Sequence, residues 1–246
     1  INATFYEYGM KEVFPPNVYI FEDEKITKFS FDDIGVDVYG FAFTSETYTE
    51  NPLVQVQSLD RHKINILAIH TDIYSHSTSC PLTPADIGRH GFDYVAMGHI
   101  HKGGEIMQYG STYYAYSGCL EGRSFDETDF GGVMMLDVTD GKLRYEKVRV
   151  ARHRYMIEQI DVTGADNDSE IADKILRRAA VSSYKEDTAL RVVLTGSVPP
   201  SYTPSPAHIC EKVTGLYKIE VIDDTVPLYD ADALIEDMSV RGEYFR

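Results

Sequence analysis

The chain has 246 residues and is 43% hydrophobic, which is enough to bury one large core or two modest ones. Its formal net charge of −16 argues against a general electrostatic attraction for nucleic acid, and its three widely spaced cysteines argue against a disulfide framework or a thiolate zinc site. It has neither an apolar run of about 18 residues, which a membrane span requires, nor a signal-peptide pattern, so we expect a soluble, cytoplasmic protein with no membrane partner.

The first part of the chain is rich in short runs of β-forming residues. Residues 18–21, 25–29 and 36–43 are separated by acidic or glycine positions, which predicts consecutive antiparallel strands. Residues 63–69 form a nearly continuous apolar run of strand length. Such a run is typical of a strand that is buried on both faces, and His70 stands at its C-terminal end.

A short helix and a second buried strand are predicted next. Thr83 can cap a helix over residues 84–89, because proline occupies the first helical position. An apolar strand follows at 92–97 and leads directly into Gly98. We expect Gly98 to let the backbone turn tightly just past that strand.

The rest of the chain predicts two hairpins and then a small α/β module. The hairpins pair 105–109 with 112–116, and 132–138 with 142–150 around Asp140-Gly141. The module has strands at 155–162, 189–195 and 216–222, helices at 169–180 and 231–238, and a proline-rich break at 199–206. We therefore predict a first domain over residues 1–151 and a second, smaller α/β domain over residues 152–246.

Three histidines carry the strongest functional signal. Apolar strands end at His70 and at Gly98, and His99 and His101 follow Gly98. Ligands of α/β proteins collect at the C-terminal ends of parallel strands, so we expect the three imidazoles to converge there. His99 and His101 are close enough to serve one cluster and can face different metal ions. The histidines in polar segments are interpreted as structural, namely His62, His90, His153 and His208.

Three segments carry a family resemblance: Ala-Ile-His-Thr-Asp at 68–72, Asp-Tyr-Val-Ala-Met-Gly-His-Ile-His at 93–101 and Ser-Gly-Cys-Leu-Glu-Gly-Arg at 117–123. They resemble SbcD-type DNA-repair exonucleases of the calcineurin-like metallophosphoesterase superfamily. The resemblance is strongest over residues 60–137 and runs in order through nearly the whole chain. It implies a layered αββα metallophosphoesterase sandwich, incomplete at its N-terminus, and a smaller α/β capping domain that positions DNA.

The resemblance also implies a set of ligands and a mechanism. His70 and His99 would bind one metal ion and His101 a second, with Mn²⁺ the expected ion and Fe or Zn compatible with the same ligands. The two ions would activate a water molecule for hydrolysis of a DNA phosphodiester. Lys102 and Arg123 would meet phosphate oxygens, with a surface lysine and a structural ion pair as the alternatives. The expected partners are DNA and a coiled-coil ATPase subunit.

Some ligands of this family are missing from the sequence. The family uses an Asp-any-His pair, a bridging Asp and an Asn-His segment, all before the position of His70, and the chain has no Asn-His or Gly-Asp dipeptide. Residues 60–62 spell Asp-Arg-His, but they lie in a polar turn before the buried run, so we reject them as ligands. Because the chain opens at Ile1 in a tyrosine- and phenylalanine-rich stretch, we expect it to begin inside a longer polypeptide and to be inactive alone.

Two alternative functions remain open at this point. One keeps the metal chemistry but changes the substrate to a small phosphodiester or a cyclic nucleotide. The other is a non-catalytic fragment that binds nucleic acid or a protein partner. A basic stretch over residues 142–154, with Glu146 as its single acid, is the local feature that suits DNA, and a solvated hairpin edge is its structural alternative.

Overall fold

The computed structural model describes residues 13–74, 78–139 and 142–228. These residues form a mixed α/β protein with three sheets and three α-helices, which confirms the predicted fold class. None of the helices in this part of the chain is long and apolar enough to cross a membrane. The turn predicted at Asp140-Gly141 and the helix predicted at 231–238 lie outside the described residues.

The chain divides into two compact units. The first contains the described residues up to Leu120 together with Gly132–Val148. The second contains Glu121–Gly131 and the described residues from Arg149 onward. The division predicted at residues 151 and 152 stays a prediction.

The first unit is built on a six-stranded sheet whose four central strands run parallel. Its strands are β1 (Thr27–Phe31), β2 (Val36–Gly40), β3 (Ile64–His70), β4 (Tyr94–Gly98), β5 (Met107–Tyr109) and β6 (Thr112–Tyr116), in the order β1-β2-β3-β4-β6-β5. The edge strands β1 and β5 pair antiparallel to their neighbours, as predicted for the strands at 25–29 and 36–43 and for the hairpin of 105–109 with 112–116. Since β3, β4 and β6 are parallel neighbours, their C-terminal ends lie along one edge of the sheet.

The core of this unit explains why the two apolar runs became central strands. Leu67 of β3 and Val95 of β4 are fully buried, and so is Ile87 of the helix α1 (Pro84–Arg89). The predicted cap of α1 is confirmed, because Thr83 Oγ1 accepts a hydrogen bond from the Asp86 backbone N–H and the Asp86 carboxylate accepts one from the Thr83 N–H. Helix and strands therefore share one apolar cluster.

Residues 18–21, predicted as a strand, are not part of any strand in the structure. A turn at Pro15 precedes them and diverts the backbone. The rings of Tyr19 and Phe21 pack against Phe29 of β1, with centroids 5.1 and 4.9 Å apart. The segment is thus held by its side chains, and the aromatic content that suggested a strand serves packing instead.

A buried carboxylate links the first three strands through ion pairs. Asp37 is fully buried, and its oxygens lie 2.6 Å from Lys28 Nζ and 3.0 Å from Lys63 Nζ. The hydrogen bond from Lys28 contributes most to lowering the pKa of Asp37 to about 2. Both lysines reach this carboxylate from neighbouring strands or their flanks, so it helps to fix how β1, β2 and β3 pair.

We predict that Asp37→Asn destabilises the protein at neutral pH by roughly 3 kcal/mol, because it leaves both lysines without their buried partner. A carboxylate whose pKa is lowered by folding stabilises the fold above its unfolded pKa, near about 3.9, and loses that contribution as the pH falls toward the folded value. Thermal unfolding of both proteins between pH 7 and pH 2 should therefore show the difference in Tm shrinking below about pH 4. A constant difference across this range would contradict the assignment.

The remaining elements are β7 (Asp129–Thr139), β8 (Lys142–Asp161), α2 (Asp168–Val181), β9 (Thr188–Thr195), β10 (Ser197–Val198), α3 (Pro206–Lys212), β11 (Lys218–Asp223) and β12 (Val226–Pro227). In the second unit β11, β9 and the later part of β8 form a parallel sheet. The α2 helix buries Ile171 and Ile175 in the core of this unit. Two predictions need correction, because β8 continues without a break where two strands were predicted, and α3 begins inside the proline-rich break.

Candidate metal centre

Two of the predicted histidines meet at the C-terminal edge of the parallel sheet. His70 Nε2 and His99 Nδ1 are 3.1 Å apart, and the two rings are nearly perpendicular, with centroids 5.0 Å apart. Two nitrogens that each lie about 2.1 Å from one ion at right angles are about 3.0 Å apart. The observed separation therefore suits a pair of neighbouring ligands on a single metal ion.

Strand register brings these two rings together. His70, the last residue of β3, stands opposite Gly98, the last residue of β4, so His99 follows directly beside it. The backbone N–H of Thr71 donates to the Gly98 carbonyl at 3.2 Å, which continues the ladder one residue past the strand ends. Phe43 lies against the His70 ring with centroids 5.5 Å apart.

The tight turn after β4 is made by His99 and not, as predicted, by Gly98. His99 has a φ of 110°, in the left-handed region that residues other than glycine rarely adopt. Ile100, the next residue, packs against the core of the unit. Such backbone strain costs roughly 1–3 kcal/mol and persists only where the surrounding structure imposes it, often at functional sites.

The third predicted histidine, His101, lies on the loop after β4, which is fastened to the loop after β6. The Cys119 N–H donates to the His101 carbonyl at 2.9 Å, and the Gly104 N–H donates to the Tyr116 carbonyl at 3.1 Å. Gly118, with a φ of 78°, lies between these bonds. The Cys119 Sγ lies within 4.8 Å of a ring nitrogen of His101. This sulfur is a soft metal donor, whereas the sequence analysis argued against a thiolate zinc site.

A buried tyrosine braces the loop that follows His70. The hydroxyl of Tyr116, at the end of β6, donates to the Thr71 carbonyl at 2.8 Å and accepts from the Ile73 N–H at 3.2 Å. Burial raises the pKa of Tyr116 to about 12, so it stays a neutral donor at physiological pH. The loop after β3 is therefore joined directly to the end of β6.

Asp72 is a residue of this site whose role sequence reasoning missed. It is buried, and its Oδ2 lies 3.8 Å from His99 Nε2, on the side of the ring away from His70. The signal that could have found it is an acidic residue two positions after His70, within the quoted 68–72 segment. Carboxylates that contact the outer nitrogen of a ligand histidine are common around metal ions.

The electrostatics of the site favour the neutral form of His70. Partial burial lowers the pKa of His70, and the positive charge that His99 and His101 can carry lowers it further. A histidine binds metal through the lone pair of a neutral ring, so this shift leaves a ligand nitrogen available at neutral pH.

The other predicted phosphate contacts lie in less specific surroundings. Lys102 is exposed directly after His101. Arg123 belongs to the second unit, where its Nη2 lies 2.9 Å from Glu127 Oε1, which is the structural ion pair considered as the alternative. In the basic stretch, Arg149 and Arg154 both lie near the Asp187 carboxylate, at 3.1 and 4.0 Å.

Three of the histidines that were interpreted as structural have contacts of their own. Their contacts are the C-cap of α1 for His90, Glu121 and the Tyr217 ring for His153, and Asp168 for His208. Residues 60–62 form a turn before β3, at the end of that strand opposite to His70.

An aromatic cleft of about 530 Å³ lies beside His70 within the first unit. His70 forms part of its wall, together with Phe41, Phe43, Ser45 and Glu46 among others. His70 thus stands at the border of a recess that a substrate could enter.

Comparison with known proteins agrees with a phosphoesterase origin. The chain is 27% identical over 192 residues to the uncharacterized metallophosphoesterase YhaO of Bacillus subtilis (strain 168). The match covers 75% of this chain and 47% of that protein, so the chain spans about half the length of the curated relative it matches. No protein-family model matches the chain. The similarity supports the metallophosphoesterase superfamily and does not extend to the SbcD type.

Proposed function

We propose that this chain contributes the histidine ligands of a metal centre that hydrolyses phosphodiester bonds, and that the protein acts on DNA as a repair nuclease of the SbcD type. The single observation that carries the proposal is the 3.1 Å separation of His70 Nε2 and His99 Nδ1 at the ends of neighbouring parallel strands. That spacing suits metal ligation, and the similarity to a metallophosphoesterase supports phosphoester chemistry.

Each side chain has a distinct role in this proposal. His70 Nε2 and His99 Nδ1 hold one divalent ion, and His101 holds a second. Mn²⁺ suits such nitrogen ligands when oxygen ligands complete the site, and Fe or Zn suit them as well. When bound, the ions supply an activated water and neutralise the charge of the phosphodiester. The chain itself orients the ligand rings through β3, β4 and the braced loops.

Two features support DNA as the substrate over a small phosphodiester. The exposed cation Lys102 follows the ligand segment directly, where it can meet the phosphate of a polymer. Arg123, which pairs with Glu127, keeps 73% of its side chain exposed and is the second cation that the resemblance assigns to phosphate. The net charge of −16 makes such local contacts necessary, because this chain carries no general electrostatic attraction for nucleic acid.

The proposal predicts that the full-length protein degrades linear DNA in the presence of Mn²⁺ and stops when EDTA is added. The assay compares the release of nucleotides from linear duplex DNA with the hydrolysis of bis(p-nitrophenyl) phosphate and of a cyclic mononucleotide under the same conditions. Faster turnover of DNA is the expected result. A preference for the cyclic mononucleotide would instead identify a small-molecule phosphodiesterase, and inactivity toward all three substrates would leave a binding fragment.

A further inference from the structure

We propose that Asp72 is a positioning residue that sets the tautomer of His99, an inference that rests on the proposed metal centre. The Asp72 Oδ2 faces His99 Nε2 at 3.8 Å, and the other ring nitrogen, Nδ1, faces His70 Nε2 at 3.1 Å. A carboxylate accepts hydrogen bonds and cannot donate them when ionised. It therefore favours the proton on Nε2, which leaves the lone pair of Nδ1 directed toward His70 and toward a metal ion.

The carboxylate is held in place independently of the histidine. Its Oδ1 accepts a hydrogen bond from the Tyr74 N–H at 2.8 Å, and 8% of the side chain is exposed. The Asp72 backbone is fixed on both sides, because its N–H donates to the Ser79 carbonyl at 3.0 Å and its carbonyl accepts from the Leu82 N–H at 3.2 Å. Because these bonds do not involve His99, the Asp72 carboxylate keeps its position when the His99 imidazole moves.

The distance between Asp72 Oδ2 and His99 Nε2 is compatible with a site whose residues move closer together when an ion binds. At 3.8 Å the contact is longer than a hydrogen bond and acts through charge. Metal ligation at Nδ1 withdraws electron density from the ring, which makes the Nε2 proton a stronger donor toward Asp72. Contacts of this kind orient ligand histidines, and their removal typically lowers metal affinity by about 10- to 100-fold.

The first test reads the tautomer directly, without metal. In the ¹⁵N-histidine-labelled protein at neutral pH, NMR correlation of the ring nitrogens should show His99 protonated at Nε2 and unprotonated at Nδ1. In Asp72→Asn, whose amide can still accept from the Tyr74 N–H but can turn an N–H toward the ring, the proton should move to Nδ1. A wild-type His99 that carries its proton on Nδ1 would overturn the inference without reference to any variant.

The second test measures Mn²⁺ affinity by titration calorimetry in the full-length protein. Asp72→Asn should weaken binding by about 10- to 100-fold while the far-ultraviolet circular dichroism stays unchanged. The matched control is Asp60→Asn, because Asp60 Oδ1 accepts from the His62 N–H at 2.9 Å in the same kind of turn, at the opposite end of β3. Equal affinities in wild type and Asp72→Asn would overturn the inference alone, whereas a wild type that binds no Mn²⁺ would overturn the proposed function.

Discussion

His99→Ala should reduce Mn²⁺-dependent DNA hydrolysis by more than about 100-fold, because it removes a direct ligand, whereas changes to outer residues already cost about 10- to 100-fold. The variant also takes away one of the two nitrogens that lie 3.1 Å apart, so His70 would be the one histidine left on the first ion. The measurement is the initial rate of nucleotide release from linear duplex DNA, together with Mn²⁺ affinity by titration calorimetry. Both should fall together if the residue is a ligand.

His62→Ala is the matched control for this prediction. His62 is an exposed imidazole in the turn before β3, at the end of that strand opposite to His70. Its loss should leave both the rate and the Mn²⁺ affinity unchanged. If His99→Ala kept wild-type activity, or if both variants lost it equally, the proposed roles of the three histidines would be wrong.

Gly118→Ala should destabilise the first unit at the loop that contacts the His101 segment. At a φ of 78° a side chain costs about 1–2 kcal/mol. The added Cβ would lie 2.3 Å from the Gly103 N and 2.8 Å from the His101 O, which are backbone atoms that cannot move aside alone. Overlap of this kind costs about 1–3 kcal/mol more. We therefore expect denaturant unfolding to show a loss of about 2–5 kcal/mol.

Gly110→Ala separates the two causes of that loss. Gly110 also has a positive φ, of 61°, but a Cβ there would meet no atom within 4 Å. This control should therefore lose only the backbone contribution of about 1–2 kcal/mol and keep its Mn²⁺ affinity. In Gly118→Ala the segment that carries His101 must shift, so affinity should fall as well. Equal losses in the two variants would mean that the close approach of the loops does not hold the site.

The strands that carry the site could be predicted because their apolar runs left few alternatives. The runs ending at His70 and Gly98 are too apolar for any position other than the centre of a sheet, and Thr83 before a proline marks α1 clearly. The short helix α3 was not predicted, because a helix of seven residues next to a proline-rich break shows too little hydrophobic periodicity. The strand predicted at 18–21 was wrong, because aromatic residues pack in loops as well as in strands.

The geometry of the site could be predicted only in part. That His70 and His99 would meet followed from a general rule for parallel strands. The strained backbone of His99 and its contact with Asp72 did not follow, because both depend on how loops far apart in sequence fold onto one another. Local pattern carries no information on such contacts.

The pairing of His70 with Gly98 across neighbouring strands would also make the proposed metal centre sensitive to the register of β3 and β4. Successive residues of a strand point to opposite faces, so sliding β3 along β4 by a single residue would replace the His70 imidazole with the side chain of Ile69 or Thr71 on the wrong side. Only the properly aligned sheet can offer two nitrogens to one ion. A cation bound in this position would therefore stabilise the native register relative to registers that are shifted by one residue.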